Sequence, residues 1–399
     1  MKIAKQKRLR TLLLKQKVLF IITLTISGLI SCKNETNSKS GSPSGAEEAW
    51  LEDYEASPFI WGFVDPTGNF VINPAYDELR DFSEGLAACN LGGKWGYIDV
   101  LGKNVITQQY LTCADFSGGR ALVQDFNHRY FYIDQNGKKL FPCPGNECGN
   151  FYQDFAVYAS NDLWGVLDRW GKSVIKPQFM DIRPGYEGQF IVKLGQTYGL
   201  IDTNQQWVLA PNLDEIKVAN ENKYIVKSAK EVKLVSKNGK PWRSGIEHCS
   251  VFLNDFCIVK NKKGYQIINS KGEEQFTTSN KLTPLGAQKF AEWEGTSAFI
   301  INFEGKRLSE QEYNGFLLYS EGLIGALRGE FWTYVSLNGK EILEPNLPLA
   351  WDCKEGRIRY VTQYGYGFMD AEGRSIIEAQ YPEARDFSSG LARIAIFRQ

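Results

Sequence analysis

Histidine is almost missing: His128 and His248 are the only two in 399 residues. The first lies in an Asn-His-Arg hairpin and the second beside Cys249 in a loop. No Gly-x-Ser-x-Gly or Cys-x-x-Cys element accompanies them, so the sequence suggests neither a nucleophilic triad nor a zinc site. An Asp-x-Asp-x-Asp-Gly calcium loop is lacking too, and no cofactor is expected. Excess charge is missing, with 46 basic and 46 acidic residues. Seven of the basic ones fall within residues 1–31, which hold no acidic residue, so the remainder carries 39 against 46. That mildly acidic balance argues against nucleic acid, whose phosphates need concentrated Lys and Arg. Apolar residues at i, i+3, i+4 and i+7 do not recur over a dozen positions, which excludes paired helices.

Hydrophobic residues make up 43% and aromatics 13%, ample for a large core. The amino terminus is different in kind. Seven Lys and Arg lead into the uncharged stretch Val18 to Ile30, thirteen residues long and too short to cross a ~30 Å hydrocarbon layer comfortably. Leu29-Ile30-Ser31-Cys32 follows and resembles a bacterial lipobox. The resemblance implies that residues 1–31 are a lipoprotein signal peptide and that Cys32 is acylated. Lys33 stands where that family's sorting pattern places Asp for inner-membrane retention, which favours a cell-envelope location at the outer membrane. Residues 32–57 are rich in Ser, Asn, Gly and Glu and are expected to form a flexible tether.

From residue 58 to 399 a period of about 34 residues runs through the chain. Gly68, Gly102, Gly137, Gly171, Gln205, Gly239, Gly272, Gly305, Gly339 and Gly373 are spaced by 33 to 35. Three positions earlier stand Asp65, Asp99, Asp134, Asp168, Asp202, Ser236, Asn269, Asn302, Ser336 and Asp370. Such side chains accept backbone bonds within a turn, and glycine supplies positive φ, so the column marks a tight hairpin. The position four before the turn glycine is always apolar, from Val64 to Met369, and the position seven before is aromatic in eight of ten units. A further strand is signalled by Phe82-Ser83-Glu84-Gly85-Leu86-Ala87 and its counterparts at Phe116 and Phe387. The expected fold is all-β: about ten three-stranded antiparallel meanders in tandem. Turn geometry accounts for the Asp column without a metal or catalytic role.

Trp61-Gly62-Phe63-Val64-Asp65, Trp95-Gly96-Tyr97-Ile98-Asp99 and Trp164-Gly165-Val166-Leu167-Asp168, each followed by a Gly turn and Val-Ile, resemble the bacterial WG-repeat family. Between Lys230 and Gly329 the Trp-Gly pair is replaced by Val232-Lys233, Tyr265-Gln266 and Ala298-Phe299. The turn and strand pattern remain there, so the fold is expected to persist. The resemblance implies a β-repeat architecture and an interaction role, and supplies no catalytic residue.

Two architectures fit the array. The first unit opens almost directly on its Trp61 strand and the chain closes on an orphan strand, Leu391 to Phe397. A β-propeller-like ring would use the orphan to complete its first sheet, whereas a β-superhelical solenoid would use it as a cap. Seven cysteines remain beyond Cys32. Cys143 with Cys148, Cys249 with Cys257, and Cys113 with Cys148 are all candidate disulfides, against buried free thiols. The aromatic column reads as core. Trp170 and Trp207, at the turn tips of adjacent units, form a candidate ligand platform. The expected function is a non-enzymatic, lipid-anchored scaffold that binds an unidentified protein or cell-envelope partner. An envelope carbohydrate hydrolase using a carboxylate pair and a structural subunit of an envelope complex are the alternatives.

Overall fold

In each Asp-x-x-Gly segment one carboxylate oxygen gathers the turn. Asp65 Oδ1 accepts the N–H of Thr67 at 2.9 Å and of Asn69 at 3.0 Å, while the Gly68 N–H donates to the Asp65 carbonyl. The same pair of bonds, two and four residues on, forms at Asp99, Asp134, Asp168, Asp202 and Asp370, and at Asn269 and Asn302. Gln205, where glycine is replaced, adopts the glycine conformation with φ of 63°. Its side chain accepts a 2.9 Å bond from Gln178 of the preceding sheet, which helps hold an unfavourable backbone in place. The computed structural model describes residues 54–399 apart from Lys230 and Pro345, so the signal segment, Cys32 and most of the tether lie outside the described residues.

Strands from these hairpins assemble into ten small antiparallel sheets of β-propeller type, with no helix among the described residues. The three-stranded meander is completed by a fourth strand in seven of them. The added strand precedes the Phe-Ser loop and is as short as Glu78–Leu79 or Thr112–Cys113. Two residues carry no alternation, so sequence pattern gives no sign of them. The units without Trp-Gly keep the architecture, as Lys223–Ser228, Glu231–Ser236 and Pro241–Ile246 show.

The core differs from the expectation in one respect. The third strand of each sheet is buried on both faces, so two adjacent columns are sealed: Phe63 with Val64, Tyr97 with Ile98, Tyr132 with Ile133, and Phe368 with Met369. The Trp and Tyr column two residues earlier is less enclosed, with Trp61, Trp164 and Tyr198 only half-buried. Cations cap it from within the sheet: Arg80 lies 4.9 Å from the Trp95 centroid, Arg385 5.5 Å from Trp61 and Arg183 5.3 Å from Tyr198. Buried tyrosines tie successive sheets together, since Tyr132 Oη donates to the Gly149 carbonyl and Tyr334 Oη to the Trp351 carbonyl, both at 2.6 Å.

The glycine of Trp-Gly has a steric cause. A Cβ on Gly62 would sit 2.5 Å from the Ile72 carbonyl oxygen, and one on Gly367 2.5 Å from that of Ile377. The fourth strand bulges over the glycine at this point, with register shifts on either side of Phe63 and of Phe368. Where Gln266 replaces the glycine, the strands pair evenly from Tyr265 to Ile267, Gln266 opposite Thr277, with one shift left after Ile267, and its side chain is buried.

The chain divides into two compact units. One holds the residues up to Gln109 together with Ser320–Val335 and Glu341–Gln399. Within it, Leu391–Phe397 pairs with Phe59–Val64 from Phe59 opposite Phe397 to Val64 opposite Ala392. The last strand thus completes the first sheet, as a propeller closes, and removes two exposed edges. Segments placed in the tether join this seam. The Arg398 N–H donates to the Pro58 carbonyl, Arg398 Nε donates to the Ser57 carbonyl, and the guanidinium pairs with buried Asp77. Asp77 also takes the Tyr54 hydroxyl, whose pKa is pushed up to about 12 by burial and then by that carboxylate. Turn carboxylates add rungs between sheets: Glu321 accepts the N–H of Glu355 and Gly356, and Glu355 accepts that of Gly390.

The other unit comprises Tyr110–Tyr319 and Ser336–Lys340. Its core lies between successive sheets, as where Val166, Ile175 and Phe179 meet Ile182, Phe190 and Val192.

Candidate functional site

Trp170 stands at the crest of the Asp168–Gly171 turn, its N–H held by Asp168 Oδ1 at 2.9 Å and its ring 75% exposed. The turn beneath is rigid because the Gly171 N–H donates to the Asp168 carbonyl, and φ at Gly171 is 83°. Arg169 places its guanidinium 5.7 Å from the Trp170 centroid and reaches Asp154 at 3.5 Å. Asp154 belongs to the loop joining Glu147–Tyr152 to Phe155–Ser160, so the two loops of this sheet meet at one end. Tyr152, at the mouth of that loop, is 55% exposed. From the preceding sheet Arg120 lays its guanidinium 5.2 Å from the Phe151 centroid, donates to the Gly118 carbonyl at 2.6 Å, and keeps Nε buried without a hydrogen bond. Burial, with the positive charge of Arg169 adding, holds the Arg120 pKa below its ordinary value, while Asp154 opposes both.

Trp207 is placed differently. It opens the strand Trp207–Leu213 instead of capping a turn, and its ring lies over Gly199. The groups against Trp170 are Arg169 and, through its ion pair, the Asp154 loop, while Trp207 is 45% exposed on its strand. Tyr152 and Arg120 join the Trp170 patch through the Asp154 loop, which no sequence spacing connects to the Trp170 turn.

Cys143 and Cys148 are joined, with Cα atoms 6.1 Å apart. The other five described cysteines, Cys113 among them, are buried and lie outside any disulfide. The Cys257 thiol is pushed up by its hydrogen bond with Cys249 and by burial, which places those two sulfurs together. His128 and His248 are exposed. The turn aspartates are occupied by backbone N–H groups, and Asp65 is held below its ordinary value first by the Thr67 hydroxyl and then by the Asn69 N–H.

The densest group of acids lies in the first unit and was not foreseen. Arg359 bonds the Ala384 carbonyl and sits 2.9 Å from Asp386 as an ion pair, off the direction of a hydrogen bond. One repeat on, Arg393 bonds the Leu79 carbonyl and pairs with Asp81 at 2.6 Å. These are the same bracket built twice, each arginine on the strand that pairs with the Trp-Gly or Tyr-Gly strand and each carboxylate on, or just after, the first strand of the next sheet. Burial raises Asp386 and Glu383, with Arg359 and Arg385 respectively opposing it most strongly. Each carboxylate is engaged: Glu383 by Arg385 at 3.0 Å and Asp352 by Lys354 at 3.9 Å.

Residues 61–95, 95–125, 164–198, 198–229 and 366–396 match the family model of the WG containing repeat. No curated protein matches the chain. Among solved structures, a eukaryotic initiation factor is similar at 9% identity over 81% of this chain and 96% of its own, with a TM-score of 0.45. BamB from Moraxella catarrhalis is similar at 12% identity over 80% of this chain and 91% of its own, with a TM-score of 0.31.

Proposed function

Because five stretches of the chain match the WG containing repeat, we propose that it is a non-catalytic scaffold whose sheets display loops to a protein or cell-envelope partner. One observation carries this reading: the turn aspartates and the acids of the first unit are spent on holding the fold, while large apolar side chains stand out on the loops. The turn aspartates bind backbone N–H groups and the acids of the first unit are ion-paired, whereas Leu101, Trp170 and Tyr364 are exposed on turns. Rigid loops lose little entropy on binding, so a modest contact suffices for recognition. A hydrolase would require a free acid beside a second carboxylate; here the raised acids Asp386 and Glu383 face Arg359 and Arg385.

The scaffold is anchored by acylation of Cys32 and faces the envelope, a reading supported by the basic, apolar and Leu-Ile-Ser-Cys order of residues 1–32. Metabolic labelling with a clickable palmitate tests it. Wild type should incorporate the label and fractionate with membranes, and Cys32→Ala should lose both; a labelled Cys32→Ala protein would refute the assignment. Crosslinking the anchored protein in intact cells should then yield a defined adduct. Failure to enrich any partner over a Cys32→Ala control would count against the scaffold.

A further inference from the structure

Two loops of one sheet, those carrying Asp154 and Trp170, converge on a patch whose chemistry is specific. Trp170 and Tyr152 offer two exposed aromatic rings, and flat faces of this kind stack on the C–H face of a sugar ring. Arg169 stands beside Trp170, and Arg120, over Phe151, lies within electrostatic reach of Arg169 and of the acid Asp154, leaving one positive charge in excess. Ion pairing with Asp154 engages Arg169 through Nη1, and a guanidinium has five donors, so the outer edge of Arg169 can hold a second carboxylate in a fork. Arg120, held by the Gly118 carbonyl and the Phe151 ring, adds positive charge behind the patch and not a further surface donor. An apolar protein surface would gain little from this arrangement, because covering Arg169 would desolvate a guanidinium whose outer edge has no acceptor from such a partner.

We propose that the Tyr152–Asp154 and Arg169–Trp170 loops bind an anionic saccharide, a uronic acid unit stacked on Trp170 with its carboxylate on Arg169. The inference rests on the scaffold reading and specifies the class of envelope ligand. The turn at Asp168 is set before binding, so ligand affinity is not diverted into ordering the loop. The patch lies on the surface and holds its guanidinium charges close to solvent, so binding weakens as salt rises.

The test titrates the full chain, solubilised in detergent, with oligogalacturonate, with neutral galacto-oligosaccharide and with a poly-glutamate peptide, by calorimetry. Oligogalacturonate should bind saturably and at least tenfold more tightly than the neutral sugar, and the peptide should not compete. Trp170→Ala should weaken binding tenfold or more, and Arg169→Gln should abolish the preference for the acidic sugar. Phe70→Ala, which removes an exposed aromatic from a strand of another sheet, should change neither. Circular dichroism identical to wild type establishes that the variants fold. Absence of saturable oligogalacturonate binding, equal binding of the neutral sugar, displacement by the peptide or an unaltered Trp170→Ala would each overturn the assignment. If oligogalacturonate fails to bind while the adduct still forms in cells, the scaffold reading stands and the saccharide site falls.

Discussion

A single methyl group on the repeat glycine distinguishes what the Trp-Gly pair does from what it looks like. Gly367→Ala would drive a Cβ to 2.5 Å from the Ile377 carbonyl oxygen and 2.7 Å from the Ala379 nitrogen, both backbone atoms that cannot step aside. Thermal unfolding should show a loss of roughly 1–3 kcal/mol, whereas Leu101→Ser, on an exposed turn, should leave the transition within about 0.5 kcal/mol. A second residue-scale expectation concerns acid. Asp65 has its folded pKa held below the ordinary 3.8, so its contribution is present above that value and is lost as pH falls through the folded one. Asp65→Asn keeps an Oδ1 acceptor, as Asn269 and Asn302 do in their own turns. The variant should fold at pH 7 and show a flatter fall in melting temperature between pH 5 and pH 2 than wild type. An unchanged acid limb would show that the charge at this turn is immaterial.

At the scale of elements, hairpins were legible because their chemistry is local. Asp65 and Gly68 stand in one turn, and the two strands that turn joins begin within a few residues of it. The Trp-Gly pair was legible as a pattern but not as a cause, since the bulge over Gly62 is made by Ile72 and Pro74 on the next strand. The strand Glu78–Leu79 is too short to show a period, and Arg80 over Trp95 joins residues with no helical or hairpin spacing. The candidate site divides in the same way: Trp170 could be read as a turn-tip aromatic, but its companion Tyr152 arrives by way of the Asp154 ion pair. Trp207 is not at the turn tip, because Gln205 ends the turn and Trp207, two positions on, already belongs to the strand. The disulfide gives an element-scale measurement. Unfolded without reductant, the seven cysteines beyond Cys32 should yield five alkylated thiols, and seven with it. Loss of the Cys143–Cys148 link should cost roughly 2 kcal/mol, the chain-entropy value for so short a loop.

At the scale of the molecule, the contacts that matter join residues hundreds of positions apart, and no local pattern encodes them. Arg393 and Asp81 are separated by 312 residues. The two brackets should nevertheless differ in weight. Arg359 is 8% exposed and its removal strands Asp386 in a buried setting, so Arg359→Ala should cost roughly 2–4 kcal/mol. Asp81 is half exposed and rehydrates when Arg393 is cut back, so Arg393→Ala should cost about 1 kcal/mol. Chemical denaturation of both variants checks the order, and the reverse order would mean that the Leu79 carbonyl bond outweighs the ion pair. Deleting residues 391–399 should be more severe than either. It uncovers the Phe59–Val64 edge and the Asp77 carboxylate together, and light scattering should report association of the truncated chain.

Pairing an early strand with one hundreds of residues later imposes an order on biogenesis. Translation delivers Phe59–Val64 long before its partner Leu391–Phe397. For the whole interval between, the growing chain carries an unmated strand. This sheet is therefore completed by a docking event, not by folding of a local hairpin, and a chaperone that shielded the waiting strand would govern its yield.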